Sequence, residues 1–397
     1  MPHYNRMKSL TGRRFRNIFA LTTVILLSVF TFHFSYAQED SAVAEHPAEE
    51  AHAAEGEKAE KFDPGAMIIE HVIDAHDWHI MGEGENSISI PLPIILYSKE
   101  RGLSAFMSGN FHHGHSTYNG YKLEKGKIVA VNEMEAVNAH EATINETVTV
   151  GLYDISLTKN AASLFLTCAL ILLIFMSVAK AYTRREGQAP KGLQSLIEPL
   201  VIFVRDDIAR SSIGEKHYKR FLPFLLTVFF FILVNNLMGL VPIFPGGANI
   251  TGSISITLTL AVIVFILTIL NGTRDYFMHI VAMPGVPKWV LIILTPVEIL
   301  SVFIKPFVLM IRLFANMTAG HIIILSFFSL IFIFAETSAA AGAGVGIFSL
   351  AFTIFMGAIE LLVAFIQAYV FTLLSAMYFG DALTEHHEDE HGHAILD

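Results

Sequence analysis

The chain has 397 residues, 53% of them apolar and only 16% charged, with a formal net charge of −10. Soluble domains are seldom this apolar, so a multi-span membrane protein is the first expectation, and no nucleic acid is expected as a partner. The one cysteine, Cys168, forbids an intrachain disulfide and leaves cysteine usage silent on compartment.

The charge is unevenly placed. Between Gln38 and Asp154 there are 21 acids against 7 bases, a net −14, so the remainder is +4. From Phe221 to Gly380 only eight charged side chains occur: Arg274, Asp275, Lys288, Glu298, Lys305, Arg312, Glu336 and Glu360.

In chain order, residues 1–37 read as a signal peptide. Arg6, Lys8, Arg13, Arg14 and Arg16 precede the apolar core IFALTTVILLSVFTFHFS, and Ser35-Tyr36-Ala37 has the small-x-small form of a cleavage site. An uncleaved anchor helix is the alternative. Residues 38–66, rich in Ala, Glu and His, carry too little apolar surface to offset ordering entropy and read as a disordered linker. Residues 67–157 read as a small β-rich external domain, because SISIPLPIILY, KIVAV and TVTVGLYDISL have strand-like composition and alternation.

The membrane domain is expected over 158–380, with spans at about 161–182, 221–243, 253–272, 296–334 and 345–380. Between the first two lies a polar stretch, 180–220, with nine Lys/Arg and the amphipathic piece LQSLIEPLVIFVRDDIA, suited to a helix lying on the membrane surface. Residues 381–397 form a His- and acid-rich tail. The fold class is therefore an all-α membrane protein of five spans, with a surface helix and a β-rich N-terminal domain. Basic residues concentrate in the 180–220 and 272–288 segments and are missing from 242–252 and 335–345. The positive-inside rule puts the first two in the cytoplasm, the N-terminal domain outside and the C-terminus inside.

The last two helices are long. Thirty-nine helical residues rise ~58 Å, nearly twice the apolar thickness, so they must tilt, kink or protrude. Pro306 offers a kink.

Charged side chains within a bilayer are costly and point to function or pairing. Glu298, Lys305 and Arg312 are spaced by seven, with Ser301 and Asn316 near the same meridian, and His321 falls on the opposite face. Glu360 and Gln367, also seven apart, share a face of the last helix. Plainer readings accompany these. Arg312 could form an internal ion pair with Glu360 or Glu298, and His321 and Glu360 a satisfied interhelical hydrogen bond. Glu298 could complete a capping box with Thr295 behind Pro296, and Lys305 could snorkel. Asn235 and Asn236 fit packing hydrogen bonds as well as channel lining. Glu336 suits a solvated helix end. The histidines at 112, 113 and 115 and the tail HHEDEHGH lack the spacing of a structured metal site.

The block IRLFANMTAGH (311–321), with EILSVFIKPFVLM before it, ELLVAFIQAYVF (360–371) after it and NNLMGLVP (235–242) upstream, resembles the signature of ATP synthase subunit a. The resemblance covers roughly 160–380. It implies that Arg312 is the family's essential arginine, that Asn316 and Gln367 are its polar neighbours, and that Glu298 and Lys305 lie toward the cytoplasm. Many bacterial members carry an acid at the position of His321 and a histidine at that of Glu360, so the couple is exchanged here. Gly239 replaces a frequent aspartate and Ala315 a usual glycine.

The implied function is that of an ion-translocating stator subunit, the ion expected to be a proton, with no cofactor, no metal and no catalysis by the chain itself. Its partners would be the ring of c subunits, the b-subunit peripheral stalk, the rest of the F-type synthase and the lipid of a bacterial inner membrane. Arg312, always protonated and planar, would favour the charged form of a passing ring carboxylate and bar leakage between two half-channels. His321 and Glu360 would line the external one, histidine being the side chain that changes charge near neutral pH. Glu298 would mark the cytoplasmic exit. The alternative is an ion-coupled secondary transporter, which predicts internal repeats that this sequence does not display. A membrane scaffold serving the external domain would leave the Arg/Gln/His/Glu pattern without a purpose.

Overall fold

The computed structural model describes residues 74–81, 88–124, 126–132, 138–139, 141–185, 188–241, 246–281 and 286–383, with Gly65 and Ile68 singly. The expected signal peptide, the linker apart from Gly65, and the tail from residue 384 onward lie outside the described residues.

The N-terminal region carries three small antiparallel sheets among the described residues. Strand β1 (Asp77–Met81) pairs with β2 (Ile88–Pro91). Strand β3 (Pro93–Ser98) lies between β4 (Gly102–Met107) and β7 (Leu152–Asp154), and β5 (Tyr121–Glu124) pairs with β6 (Lys127–Ala130). Their core is Ile94, Leu96, Phe111, Tyr121, Ile128 and Leu152, with Phe106 edge-on to Phe111. The burial of alternate residues on β3 follows the period of two that a half-buried strand imposes.

One strand expected here is a helix. ETVTV forms α1 (Glu146–Val150), because the Asn145 side chain accepts the Val148 N–H and starts a turn that β-branched composition disfavours. Only Leu152–Asp154 of that segment pairs as a strand.

Among the described residues, five helices are long and apolar enough to cross a membrane. They are α2 (Lys159–Arg184), α4 (Tyr218–Leu240), α5 (Ile254–Asn271), α7 (Lys288–Thr337) and α8 (Ala339–Leu383), with α3 (Leu193–Phe203) and α6 (Arg274–Val281) between them. The Thr158 hydroxyl accepts the Ala161 N–H and caps α2. Helix α3 runs on through a wider π-type turn, Val204–Arg210, into Ser211–Ile213, and buries Ile197, Val204 and Ile208 while Leu193 and Leu196 stay exposed. Helix α4 is innermost, with Leu225, Phe229 and Ile232 fully enclosed.

Helices α7 and α8 pack chiefly on each other, and are longer than expected. At 50 and 45 residues they rise about 75 and 68 Å. Helix α7 starts at Lys288, eight residues before the expected boundary, so Pro296 lies inside it. The capping box imagined for Glu298 is therefore overturned. The Thr295 hydroxyl instead donates to the Val281 carbonyl at 2.8 Å, tying α7 to α6.

Candidate functional site

The site is built where α4, α7 and α8 meet. On α7, Leu309, Leu313 and Met317 recur every fourth residue and are buried, which fixes the helix's rotation. Arg312 and Asn316 consequently project from the exposed side. Among the described residues, Arg312 forms no ion pair with Glu298 or Glu360. Its charge is felt by Tyr378 of α8, whose ring also carries the Lys305 ammonium 5.2 Å from its centroid.

His321 is half-buried and turned toward α4. Its Nδ1 is 3.0 Å from the Met317 carbonyl one turn back, and its Nε2 is 3.3 Å from the Gly239 carbonyl. Both partners are acceptors, so a neutral imidazole donates to one of them and a cationic imidazole to both. A Cβ on Gly239 would lie 3.8 Å from His321 Cε1. The histidine ring thus occupies the space toward which any side chain at 239 would grow.

Glu360 reaches the same place from α8. It is 8% exposed, close enough to His321 to feel its charge, and Oε1 has no hydrogen-bond partner among the described residues. The approach of α8 depends on Gly320, whose missing Cβ leaves the room that the Glu360 carboxylate fills. Gln367 follows two turns further along α8 and is buried.

Asn236 of α4, completely buried, donates to the Ala364 carbonyl of α8 at 3.2 Å and accepts from the Thr251 hydroxyl at 2.7 Å. Asn235 donates to the Phe231 carbonyl within its own helix. Both make the packing contacts of the plainer reading.

A second charged group lies at the far end of α7 and α8. Lys305 Nζ is 3.5 Å from the Asp381 carboxylate. Burial pushes the Tyr276 phenol of α6 above its ordinary range, and the negative charges of Asp381 and Glu298 add to the shift. Glu298, Asp381 and Tyr276 therefore share one neighbourhood. The sequence reading missed Asp381, although it lies 21 residues past Glu360 on the stripe that Gln367 continues.

Residues 161–380 match the family described as ATP synthase A chain. The chain belongs to that family. Residues 67–154 match a second family, described as a domain of unknown function. A relative from Chloroherpeton thalassium, ATP synthase subunit a, is 45% identical over 253 residues, 62% of this chain and 72% of that protein. ATP synthase subunit a 2 of Chlorobaculum tepidum is 46% identical over 250 residues, 61% of this chain and 67% of its own length. A relative from an Anaeromyxobacter strain, also ATP synthase subunit a, is 39% identical over 277 residues, 66% of this chain and 64% of that protein.

Proposed function

We propose that the chain is the membrane stator subunit of an F-type ATP synthase and that it conducts protons past a rotor ring by way of Arg312. Family membership supports the stator role. The observation that carries the arginine's part is its exposure on a helix of membrane-spanning length without an ion pair among the described residues. A guanidinium facing hydrocarbon is too costly to persist, so its counter-charge comes from a partner that covers this face. A ring of c subunits, each presenting a carboxylate at mid-membrane, meets that need. Ala315 and Asn316 share the exposed face and leave room for the ring to approach.

In this reading His321 and Glu360 form the external half-channel. The buried Oε1 of Glu360, without a hydrogen-bond partner among the described residues, can take up a proton, and the two carbonyls around His321 can each accept from a ring N–H. Glu298, with Asp381 and Tyr276, forms the cytoplasmic exit. Arg312 separates the two paths and favours the ionised state of each ring carboxylate that reaches it. Gln367 and Asn316 are its polar neighbours. The five long helices span the bacterial inner membrane, the 180–220 stretch lies along its cytoplasmic surface, and the b-subunit stalk holds the assembly. Basic-residue placement supports this orientation.

Replacing Arg312 by alanine in the complete synthase tests the reading. Arg312→Ala should co-purify with the c ring and lose gradient-driven ATP synthesis, while passive proton flux through head-stripped vesicles rises. Near-normal synthesis would remove the centre of the proposal.

A further inference from the structure

The N-terminal β-rich region does not hang free of the helices. Its segment Asp74–Trp78 is fastened at two points. At the start of α2, the Lys159 N–H donates to the Ala75 carbonyl at 2.8 Å and the Asn160 N–H to the Asp74 carboxylate at 2.9 Å. Beyond the end of α4, Trp78, only 4% exposed, packs into the core of the helical bundle and donates its indole N–H to the Gly246 carbonyl at 3.2 Å.

Gly246 belongs to the connection between α4 and α5, and that connection is wedged against the site. A Cβ on Gly246 would collide with the carbonyl oxygens of Val241 and Met238, so only glycine fits. The next amide, Gly247 N–H, donates to the Met238 carbonyl at 3.2 Å. The carbonyl that follows in α4, that of Gly239, is the one 3.3 Å from His321 Nε2. Further along the connection, the Gly252 carbonyl accepts from Thr318 of α7 at 3.3 Å, and Thr251 holds Asn236. Trp78 is thus one short run of backbone away from the acceptor that orients His321.

We propose that the β-rich domain is a working part of the external proton path: through Trp78 it fixes the 246–252 connection, and with it the Gly239 carbonyl that orients His321. Trp78 acts as a positioning residue: its indole bonds to the Gly246 carbonyl, whereas the hydrogen-bond partners of His321 are the Met317 and Gly239 carbonyls. The inference rests on the assignment of His321 to the external half-channel. The groups that face His321 limit what else could respond. Helix α8 supplies Glu360, while α4 beyond Arg220 and the whole of α5 hold no titratable side chain.

The experiment uses the complete synthase in vesicles and measures ATP synthesis against external pH at fixed internal pH, and the reverse. Trp78→Phe keeps a smaller apolar ring in the core and removes the donor. It should assemble with the c ring as the natural chain does and keep its maximal rate. The external proton concentration for half-maximal synthesis should rise about fivefold, the effect of one lost hydrogen bond, with the dependence on internal pH unchanged. Trp78→Ala should show the same displacement, enlarged. Three results would overturn the inference: curves like those of the natural chain for both variants, a rate lowered equally at every external pH, or failure of Trp78→Phe to assemble, which would make Trp78 a packing residue. Arg312→Ala run beside them separates the two levels. If it still synthesises ATP, the ion-path assignment itself fails. If it does not and the Trp78 variants are normal, only the domain's part in the path is lost.

Discussion

The carboxylate of Glu360 lies against the bare Cα of Gly320: a Cβ built there would strike Oε1 and sit 3.0 Å from the carboxyl carbon. Helix α8 can therefore bring this acid to His321 only because α7 has no side chain at that point. Glu360 is 8% exposed, so a side chain at 320 would have to turn the carboxylate out of its present place.

Gly320→Ala follows directly. The methyl group has to displace the carboxylate, and overpacking of this kind costs on the order of 1–3 kcal/mol. Passive proton flux through head-stripped vesicles should fall about tenfold, the rate equivalent of ~1.4 kcal/mol, while the subunit still co-purifies with the ring. Unchanged flux would mean that the position of Glu360 is unimportant for conduction.

The acid–histidine couple predicts a rescue. His321→Ala and Glu360→Ala should each impair driven proton transport. His321→Glu combined with Glu360→His should recover part of it, because the two positions face each other from α7 and α8 and the exchange keeps one acid and one imidazole. Transport by the double variant no better than by the worse single one would show that the residues do not act as a unit.

The long helices could be read directly from apolar runs long enough to cross a membrane, and the Arg312 stripe from a spacing of seven. Their starts were harder to read. Pro296 suggested a first helical position, yet α7 carries it internally, because the preceding turns have the tertiary support of α6 through Thr295 and Val281. The ETVTV segment has strand composition, and a single cap at Asn145 overrides it. Contacts between distant segments leave no mark in a single sequence. Nothing near Trp78 announces Gly246, and nothing near Gly320 announces Glu360. Asp381 was within reach, as the continuation of the Glu360–Gln367 stripe.

The N-terminal β-rich region carries its own pH dependence. Burial raises the Asp154 carboxyl, but the hydrogen bond and charge of His76, 3.0 Å away, together with two bonds from Ser156, more than offset this and hold it below its ordinary value. A depressed folded value stabilises the domain above the unfolded carboxylate range, about 3.9, and that stability is lost as pH falls through the folded value. Asp154→Asn should therefore destabilise the domain by about 1 kcal/mol at neutral pH. The deficit should shrink as pH falls below the unfolded carboxylate range, about 3.9, and through the lowered folded value, where both states of the natural carboxyl become protonated. Limited proteolysis of the whole subunit at a series of pH values reads this out, and a deficit that does not shrink anywhere on the acid side of the unfolded carboxylate range would refute it.

The arginine's shape, and not only its charge, should matter. Arg312 stands on the exposed side of α7, with Tyr378 near enough to feel its charge and the Lys305 ammonium already lodged 5.2 Å from that ring's centroid. If a positive potential were all that the site required, Lys305 would supply much of it, and lysine at 312 would do as well as arginine. The guanidinium differs in being planar, in presenting five donors as a fork, and in engaging a carboxylate through two parallel bonds. In the proposed mechanism a ring carboxylate moving past has to be met along an arc. A fork can hand it from one nitrogen to another, whereas an ammonium is a compact point charge on a flexible stem. Arg312→Lys should therefore assemble, keep passive leak closer to that of the natural chain than Arg312→Ala does, and still lose most coupled ATP synthesis. The decisive measurement is the pair of rates, leak and synthesis, in the same vesicles. Synthesis by the lysine variant within about threefold of the natural chain, a difference of under ~1 kcal/mol, would reduce Arg312 to a bare positive charge.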